Sequence, residues 1–344
     1  MAPPKVFRKG CEARVVDTPT ASDRARWAEH LGDPTLHERL LSELNCLHQV
    51  QLEPPIGVPL KGWVRVAAWN AARGRDLPAA ASLLRRCRAD LLLLSELDWG
   101  MARTGNADVP RALAESLETG YGFGVEFIEL AGDEGGNELG LHGNAILTAA
   151  QLQQPKVVRL GGEGEWFAAD ASEPRVGGRV AVLGTIEVDG TPVRVASTHL
   201  ENMTDPEGRS AQLGVLLDAL EELGPAPAIV GGDLNTFGAP LEDLADRAAV
   251  RQMRDDDPAR FSWPVAYEPL FETARAHGFE WAAANVAAPT TSHDAVGLPD
   301  HVPLKLDWIL TRGLDARRAA VTSCDGLSDH QVVSTAVRVP ATIS

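Results

Sequence analysis

Cysteine is scarce in this chain: four occur in 344 residues, Cys11, Cys46, Cys87 and Cys324. None forms a CxxC pair or lies at zinc-ligand spacing from a histidine, which excludes a disulfide framework and a structural zinc site. A reducing, cytoplasmic setting is expected. Long apolar runs are lacking as well. No segment approaches the ~20 residues needed to cross a bilayer, and residues 1–17 lack the apolar core of a secretion signal, so neither export nor membrane insertion is expected. Positive charge is outweighed, with 48 Asp and Glu against 32 Lys and Arg, a formal charge of −16. That balance disfavours broad adhesion to nucleic acid, which draws its energy from cations that neutralise phosphates.

What is present is a pattern of layers. Over residues 21–47 the apolar residues Trp27, Leu31, Leu36, Leu40, Leu41, Leu44 and Leu47 recur mostly at steps of three to five. This predicts two amphipathic helices broken at Asp33-Pro34. The Pro-rich stretch 53–59 then forms a rigid connector. Beyond Trp63 short apolar strands alternate with helices: strand 64–69, helix 77–88, strand 90–95 and a helix near 110–118. Further strands are expected at 124–129, 144–148, 180–188, 193–197, 228–230, 307–311 and 332–339, with a helix at 208–223 and an acidic, polar insert at 241–258. Alternation of this kind is the signature of an α/β fold. The reading divides the chain into a helical extension and connector, 1–62, and a catalytic domain, 63–344. It leaves the oligomeric state open.

Several polar residues stand at or near the ends of the predicted strands: Asn70, Glu96, His199, Asp233 and Asp307. Ligands of layered α/β folds bind outside strand ends, so residues delivered there converge on one rim. Their types suit one chemistry. Glu96, Asp233, Asp307 and Asp329 are hard oxygen donors for Mg²⁺ or Mn²⁺, an ion that would polarise a phosphoryl oxygen. His199 and His330 titrate near neutrality. Asn70 and Asn235 supply neutral amides.

In order, Val66-Ala67-Ala68-Trp69-Asn70, Leu94-Ser95-Glu96, Gly143-Asn144-Ala145-Ile146-Leu147, Ser197-Thr198-His199-Leu200, Gly232-Asp233-Leu234-Asn235, Leu306-Asp307-Trp308-Ile309 and Ser328-Asp329-His330 resemble the successive motifs of the endonuclease/exonuclease/phosphatase superfamily. Deoxyribonuclease I-like nucleases, abasic endonucleases, neutral sphingomyelinases and inositol polyphosphate phosphatases belong to it. The resemblance covers residues 63–344 and implies a four-layer α/β sandwich, two packed mixed sheets flanked by helices, here with an N-terminal helical extension. It implies that Glu96 binds the catalytic Mg²⁺ or Mn²⁺ with Asn70 close by, and that Asp329 lies near a possible second metal position. Asp233 would position or deprotonate the attacking water, and Asn235 would hold the phosphate or that water. His199 would contact the phosphate and protonate the leaving group, while His330 would be the other catalytic imidazole, oriented by Asp307. Asn144 and Arg179, the arginine ahead of a central strand, would contact the substrate phosphate.

The second motif carries Ser95 where many members have glutamine. The tyrosine that abasic-type nucleases place near the phosphate has no match, since Tyr121 and Tyr267 lie in other motifs. Arg73, in Arg73-Gly74-Arg75, either grips a substrate phosphate, as guanidinium forks do, or belongs to a solvated turn. Glu201 is expected to cap the following helix, with Arg209 and Gln212 left open. His142, His293 and His301 are placed in loops. The implied activity is metal-dependent hydrolysis of a phosphodiester or phosphomonoester in a small molecule, lipid head group or short nucleic acid. A nuclease is the alternative, through a local basic rim of Arg73, Arg75, Arg85, Arg86 and Arg179. An inactive binding protein is disfavoured by the intact polar set. Trp166-Phe167 and Phe261-Ser262-Trp263-Pro264 are the candidates for an exposed membrane-contact hairpin, with core anchoring as the other reading.

Overall fold

A computed structural model describes residues 17–55, 57–131, 136–162, 166–244, 246–292 and 302–341. Helices α1 (Ala21–Ala28) and α2 (Pro34–Glu43) start where the sequence directs. Thr20 closes a capping box with Asp23, and Asp33 caps α2 with proline in its first turn, so each helix begins with its orphan N–H groups satisfied. Strands β1 (Val50–Glu53) and β2 (Val64–Arg73), helix α3 (Leu77–Cys87), strand β3 (Leu91–Trp99), helix α4 (Val109–Leu117) and strands β4 (Gly120–Glu129) and β5 (Leu141–Thr148) follow. After β6 (Gln153–Arg159), β7 (Arg175–Gly177), β8 (Val180–Val188) and β9 (Thr191–His199), α5 (Pro206–Glu221) leads to β10 (Ala228–Asp233). The chain closes through α6 (Leu241–Leu244), α7 (Arg247–Asp256), α8 (Leu270–Ala276), β11 (Asp307–Arg312), β12 (Asp315–Thr322) and β13 (Val332–Arg338).

Two mixed sheets result. The first runs β1-β4-β5-β3-β2-β13-β12 with β7 beside β4, and the second runs β11-β10-β9-β8-β6. Each holds one parallel pair, β2 with β3 and β9 with β10. Side chains alternate across a strand, which divides β2 cleanly: Val66 and Ala68 face the second sheet among Val182, Val195, Ile229 and Ile309, whereas Ala67 and Trp69 face helices among Leu83, Leu84 and Leu113. On the far side, Ala196, Val230 and Leu310 pack with Leu213, Leu216, Leu217 and Phe271 of α5 and α8. The order helix, sheet, sheet, helix is the four-layer sandwich expected.

Some strands lie outside the sequence expectation. β12 is an exposed edge strand, Asp-Ala-Arg-Arg-Ala-Ala-Val-Thr, whose charges protect an open sheet edge and hide the apolar alternation. β6, also an edge, carries Pro155 and is mostly polar. The insert 241–258 is largely helical, because Val250 of α7 reaches a small core with Leu244, Phe261 and Leu304.

The N-terminal segment is built into these layers. Trp27, Leu36 and Leu40 share the core of the first sheet, β1 pairs with β4, and the buried Arg24 donates to the carbonyls of Asn137 and Leu139. The extension thus packs on the core of the first sheet. Burial of three such side chains stabilises the fold by roughly 1.5–3 kcal/mol each. Deleting residues 1–50 is expected to lower the unfolding midpoint and cause aggregation. Equal stability in a thermal melt, with only activity lost, would assign the segment to the site instead.

Candidate active site

The topology explains why distant residues meet. β2 and β3 are parallel neighbours, so Asn70 and Glu96, near their C-terminal ends, emerge on the same edge of the first sheet. In the second sheet His199 and Asp233 are paired at the ends of the parallel strands β9 and β10, and Asp233 also pairs with Asp307, which opens the antiparallel β11. His330 precedes β13, which runs antiparallel to β2, so it too reaches that rim.

The local backbone is specialised there. β3 slips register between Leu94 and Leu97, and Glu96 takes φ +53°. Asn235 takes φ +49°. Left-handed conformations of this kind cost non-glycine residues energy and concentrate at functional sites. Gly232, at φ +147°, is required by close approach, since a Cβ there would lie 1.8 Å from the Thr198 carbonyl oxygen.

Asn70 Nδ2 donates to Glu96 Oε1 and to Asp233 Oδ2, both at 3.1 Å. The same Asp233 oxygen lies 3.4 Å from His199 Nε2 and 3.6 Å from His330 Nε2. His330 Nδ1 is 2.9 Å from Asp307 Oδ2. Asn235 donates its backbone N–H to Asp233 Oδ1 at 3.0 Å and its amide to the Leu200 carbonyl. Asp307 Oδ1 is buried without a hydrogen-bond partner among the described residues.

Burial and crowding of charge set the electrostatics. Burial, reinforced by Asp307, pushes the Asp233 carboxyl up to about 6 even though His330 pulls the other way. Burial alone would lower His330, but the carboxylates of Asp307 and Asp233 hold it well above the usual imidazole range. His199 goes the opposite way, depressed by burial and by the Arg179 guanidinium. Burial works to raise Glu96; His199, His142 and Arg73 and the Asn70 bond outweigh it and hold the carboxyl below its ordinary value. Asp233, Asp307 and His330 offer ligand atoms within 4.8 Å of one another. The carboxylates of Glu96, Asp233 and Asp307 on one rim, with Asp307 Oδ1 lacking a hydrogen-bond partner among the described residues, describe a pocket that a divalent cation on hard oxygen donors would fit.

The endonuclease/exonuclease/phosphatase family model matches residues 67–330. The chain belongs to this family. Its solved relatives share the fold at low identity. An endonuclease/exonuclease/phosphatase protein from Beutenbergia cavernae superposes with TM-score 0.59 at 20% identity, covering 82% of this chain and 73% of that one. The human Nocturnin catalytic domain, solved with a bound sulfate anion, gives 0.56 at 20%, covering 84% and 98%. A family protein from Bacteroides vulgatus gives 0.52 at 16%, covering 81% and 99%. A search of curated proteins returned no significant match. Membership makes the chain a metal-dependent phosphoester hydrolase, with acidic and histidine groups placed where an ion can bind.

Within this family member, Asn70, Glu96, His199, Asp233, Asn235, Asp307 and His330 come together at one rim. Asn70 turns its Nδ2 to the Glu96 and Asp233 carboxylates while its Oδ1 accepts from Ala72 N–H. Asp329, half-buried next to His330, accepts from Ser328 Oγ at 3.3 Å. Arg179 is buried, held by Glu126, Glu201 and Asn202, and touches the site through His199. Asn144, fully buried, donates to the Val180 carbonyl. Arg73 lies at the mouth, 3.6 Å from Glu96 and 3.3 Å from Glu173.

Glu201 does not cap α5, whose N-cap is Asp205; it accepts from Arg179 and Trp166. Arg209 and Gln212 are structural, the first in a fully buried pair with Glu268 and the second accepting from Glu201 N–H. His142 sits in β5, not a loop, bonded to Asp98 at 2.8 Å; His293 and His301 lie outside the described residues. The basic rim does not assemble: Arg86 pairs with Asp325, Arg85 donates to the Ser116 carbonyl, and Arg179 is internal. Phe167 and Phe261 are buried and Trp263 packs tilted against Trp308, their ring centres 5.1 Å apart, so both aromatic segments anchor core. Sequence reading missed Glu126 and Asp98, the acids within strands that hold Arg179 and His142. Their signal was weak but present, since acids within apolar strands stay charged only beside a cation.

Proposed function

We propose that the chain hydrolyses a phosphodiester or phosphomonoester of modest size, in a small molecule, lipid head group or short nucleic acid, with Mg²⁺ or Mn²⁺. The observation that carries this reading is the continuous path Glu96, Asn70, Asp233, His330, Asp307 at one rim, with His199 on the same Asp233 oxygen. The preference for a compact substrate over a duplex rests on the acidic net charge and on the paired arginines α3 presents. Free Cys46, Cys87 and Cys324 are in keeping with a cytoplasmic setting.

In this reading Glu96, joined by Asp329, would hold the ion. When bound, it supplies Lewis-acid polarisation of a phosphoryl oxygen and stabilises the leaving oxygen. The remaining work falls to the protein. Asp233 accepts the proton of the attacking water, a task suited to a carboxyl raised to about 6. Asn235 fixes that carboxylate through its backbone N–H and brings its amide to the same edge. His330, protonated and turned by Asp307, presents Nε2–H to the charge that builds on the phosphoryl group. His199 contacts the phosphate from the other sheet. Arg73, at the mouth, meets the remaining phosphate oxygens, with Asn144 bracing the strands below.

A panel of bis(p-nitrophenyl) phosphate, sphingomyelin, inositol phosphates, short RNA and plasmid DNA tests the reading. Turnover is expected to vanish in excess chelator and to return with Mg²⁺ or Mn²⁺. Full activity in chelator would refute the metal assignment. Glu96→Gln is expected to raise the metal concentration for half-maximal rate by roughly 10–100-fold without changing the melt, a loss typical of a weakened metal site. Unchanged turnover at low metal would remove Glu96 from the ligand set.

A further inference from the structure

His199 and His330 both face Asp233 Oδ2, but the partners behind them differ in kind. Behind His330 stands a carboxylate, Asp307. Behind His199 stands a guanidinium: Arg179 Nη1 lies 3.0 Å from His199 Nδ1. Arg179 is fixed in place. Nη1 also donates to Glu126 at 2.7 Å, Nε to Glu201 at 3.3 Å and Nη2 to Asn202 at 2.8 Å. Its plane sits against Phe127 and Trp166, 5.5 and 5.3 Å from their ring centres.

An arginine side chain carries N–H donors and no acceptor. The ring nitrogen it touches must therefore be the lone pair, and the single proton of the imidazole falls on the other nitrogen. We propose that Arg179 is a positioning residue that holds His199 as its Nε2–H tautomer, making it a fixed hydrogen-bond donor to the substrate phosphate and not the proton source for the leaving group. This rests on the site reading above. The two imidazoles are then set oppositely. Asp307 takes the Nδ1–H of His330, whereas Arg179 fills the Nδ1 lone pair of His199. Two rings that converge on one oxygen thus do different work, and the proton to be transferred belongs to the His330 side. Glu126 and Glu201 serve to keep the guanidinium buried and aimed.

The test begins with ¹⁵N-histidine-labelled, chelator-treated protein, with the His199 signals assigned by their loss in His199→Asn. A bare Nδ1 and a protonated Nε2 are expected throughout pH 6–9. A protonated Nδ1 at neutral pH overturns the proposal. Arg179→Lys keeps the charge but loses the fork that grips all four partners. It is expected to let the Nδ1–H form appear and to lower kcat on bis(p-nitrophenyl) phosphate with Mn²⁺ at least ~10-fold, with KM within ~3-fold. An unchanged kcat with a raised KM would make Arg179 a phosphate contact and overturn the assignment. Should that variant fail to fold, the wild-type spectrum still decides. Absence of metal-dependent turnover in the wild type refutes the hydrolase reading of this site, whereas the tautomer is read without substrate or metal, so the two failures are separable.

Discussion

Asp307→Asn is expected to lower kcat at least ~100-fold while leaving KM within a few-fold. Asp307 is fully buried and meets His330 Nδ1 at 2.9 Å. The asparagine oxygen can still accept that hydrogen bond, so the ring keeps its orientation. What disappears is the negative charge that, against the cost of burial, holds His330 well above the ordinary imidazole range. The sign follows directly. With its pKa lowered, His330 sheds its proton at lower pH, so the defect grows as pH rises and the alkaline limb of kcat moves down. His330→Ala removes the group through which Asp307 acts, so adding Asp307→Asn to it should cost little more. Defects that multiply independently in the double variant, or a change in metal affinity alone, would make Asp307 a metal ligand or a structural residue.

The legible part of this protein was its chain order of strand ends. Asn70, Glu96, His199, Asp233 and Asp307 each follow or open an apolar run, and an α/β layer gathers such positions on one rim whatever the detailed packing. The same reasoning could not place Arg179, because its position ahead of β8 is the same for a surface arginine and a buried one. Only the pairing of β4 and β5, which carry Glu126 and Asn144, draws it inward. Asn70 shows a second limit: its residue type does not tell that its Nδ2 spans Glu96 and Asp233 while a turn engages its Oδ1 with Ala72 N–H, contacts only the packed strands bring about. The edge strands β6 and β12 were hidden because protection of an open edge replaces alternation with charge and proline.

Asp233→Asn should abolish most activity and yet yield a more stable metal-free protein. As the proposed base, Asp233 contributes a factor of about 10²–10⁴ to rate, and its amide cannot take the proton of water. The stability gain has a separate cause. The Asp233 carboxyl goes from an ordinary value of 3.8 to about 6 in the fold, chiefly because burial and Asp307 penalise its charge. A carboxyl with a raised folded pKa binds its proton more tightly folded than unfolded. Its contribution is therefore present below pH ~4 and lost as pH rises through about 6. Asparagine imitates the protonated form, and its oxygen can still accept from the Asn235 N–H. In excess chelator the variant should melt above the wild type at pH 8, with the gap closing toward pH 4. A variant that melts below the wild type at pH 8 in chelator, or a gap indifferent to pH, would show that Asp233 is held charged at no cost and has no reason to act as a base.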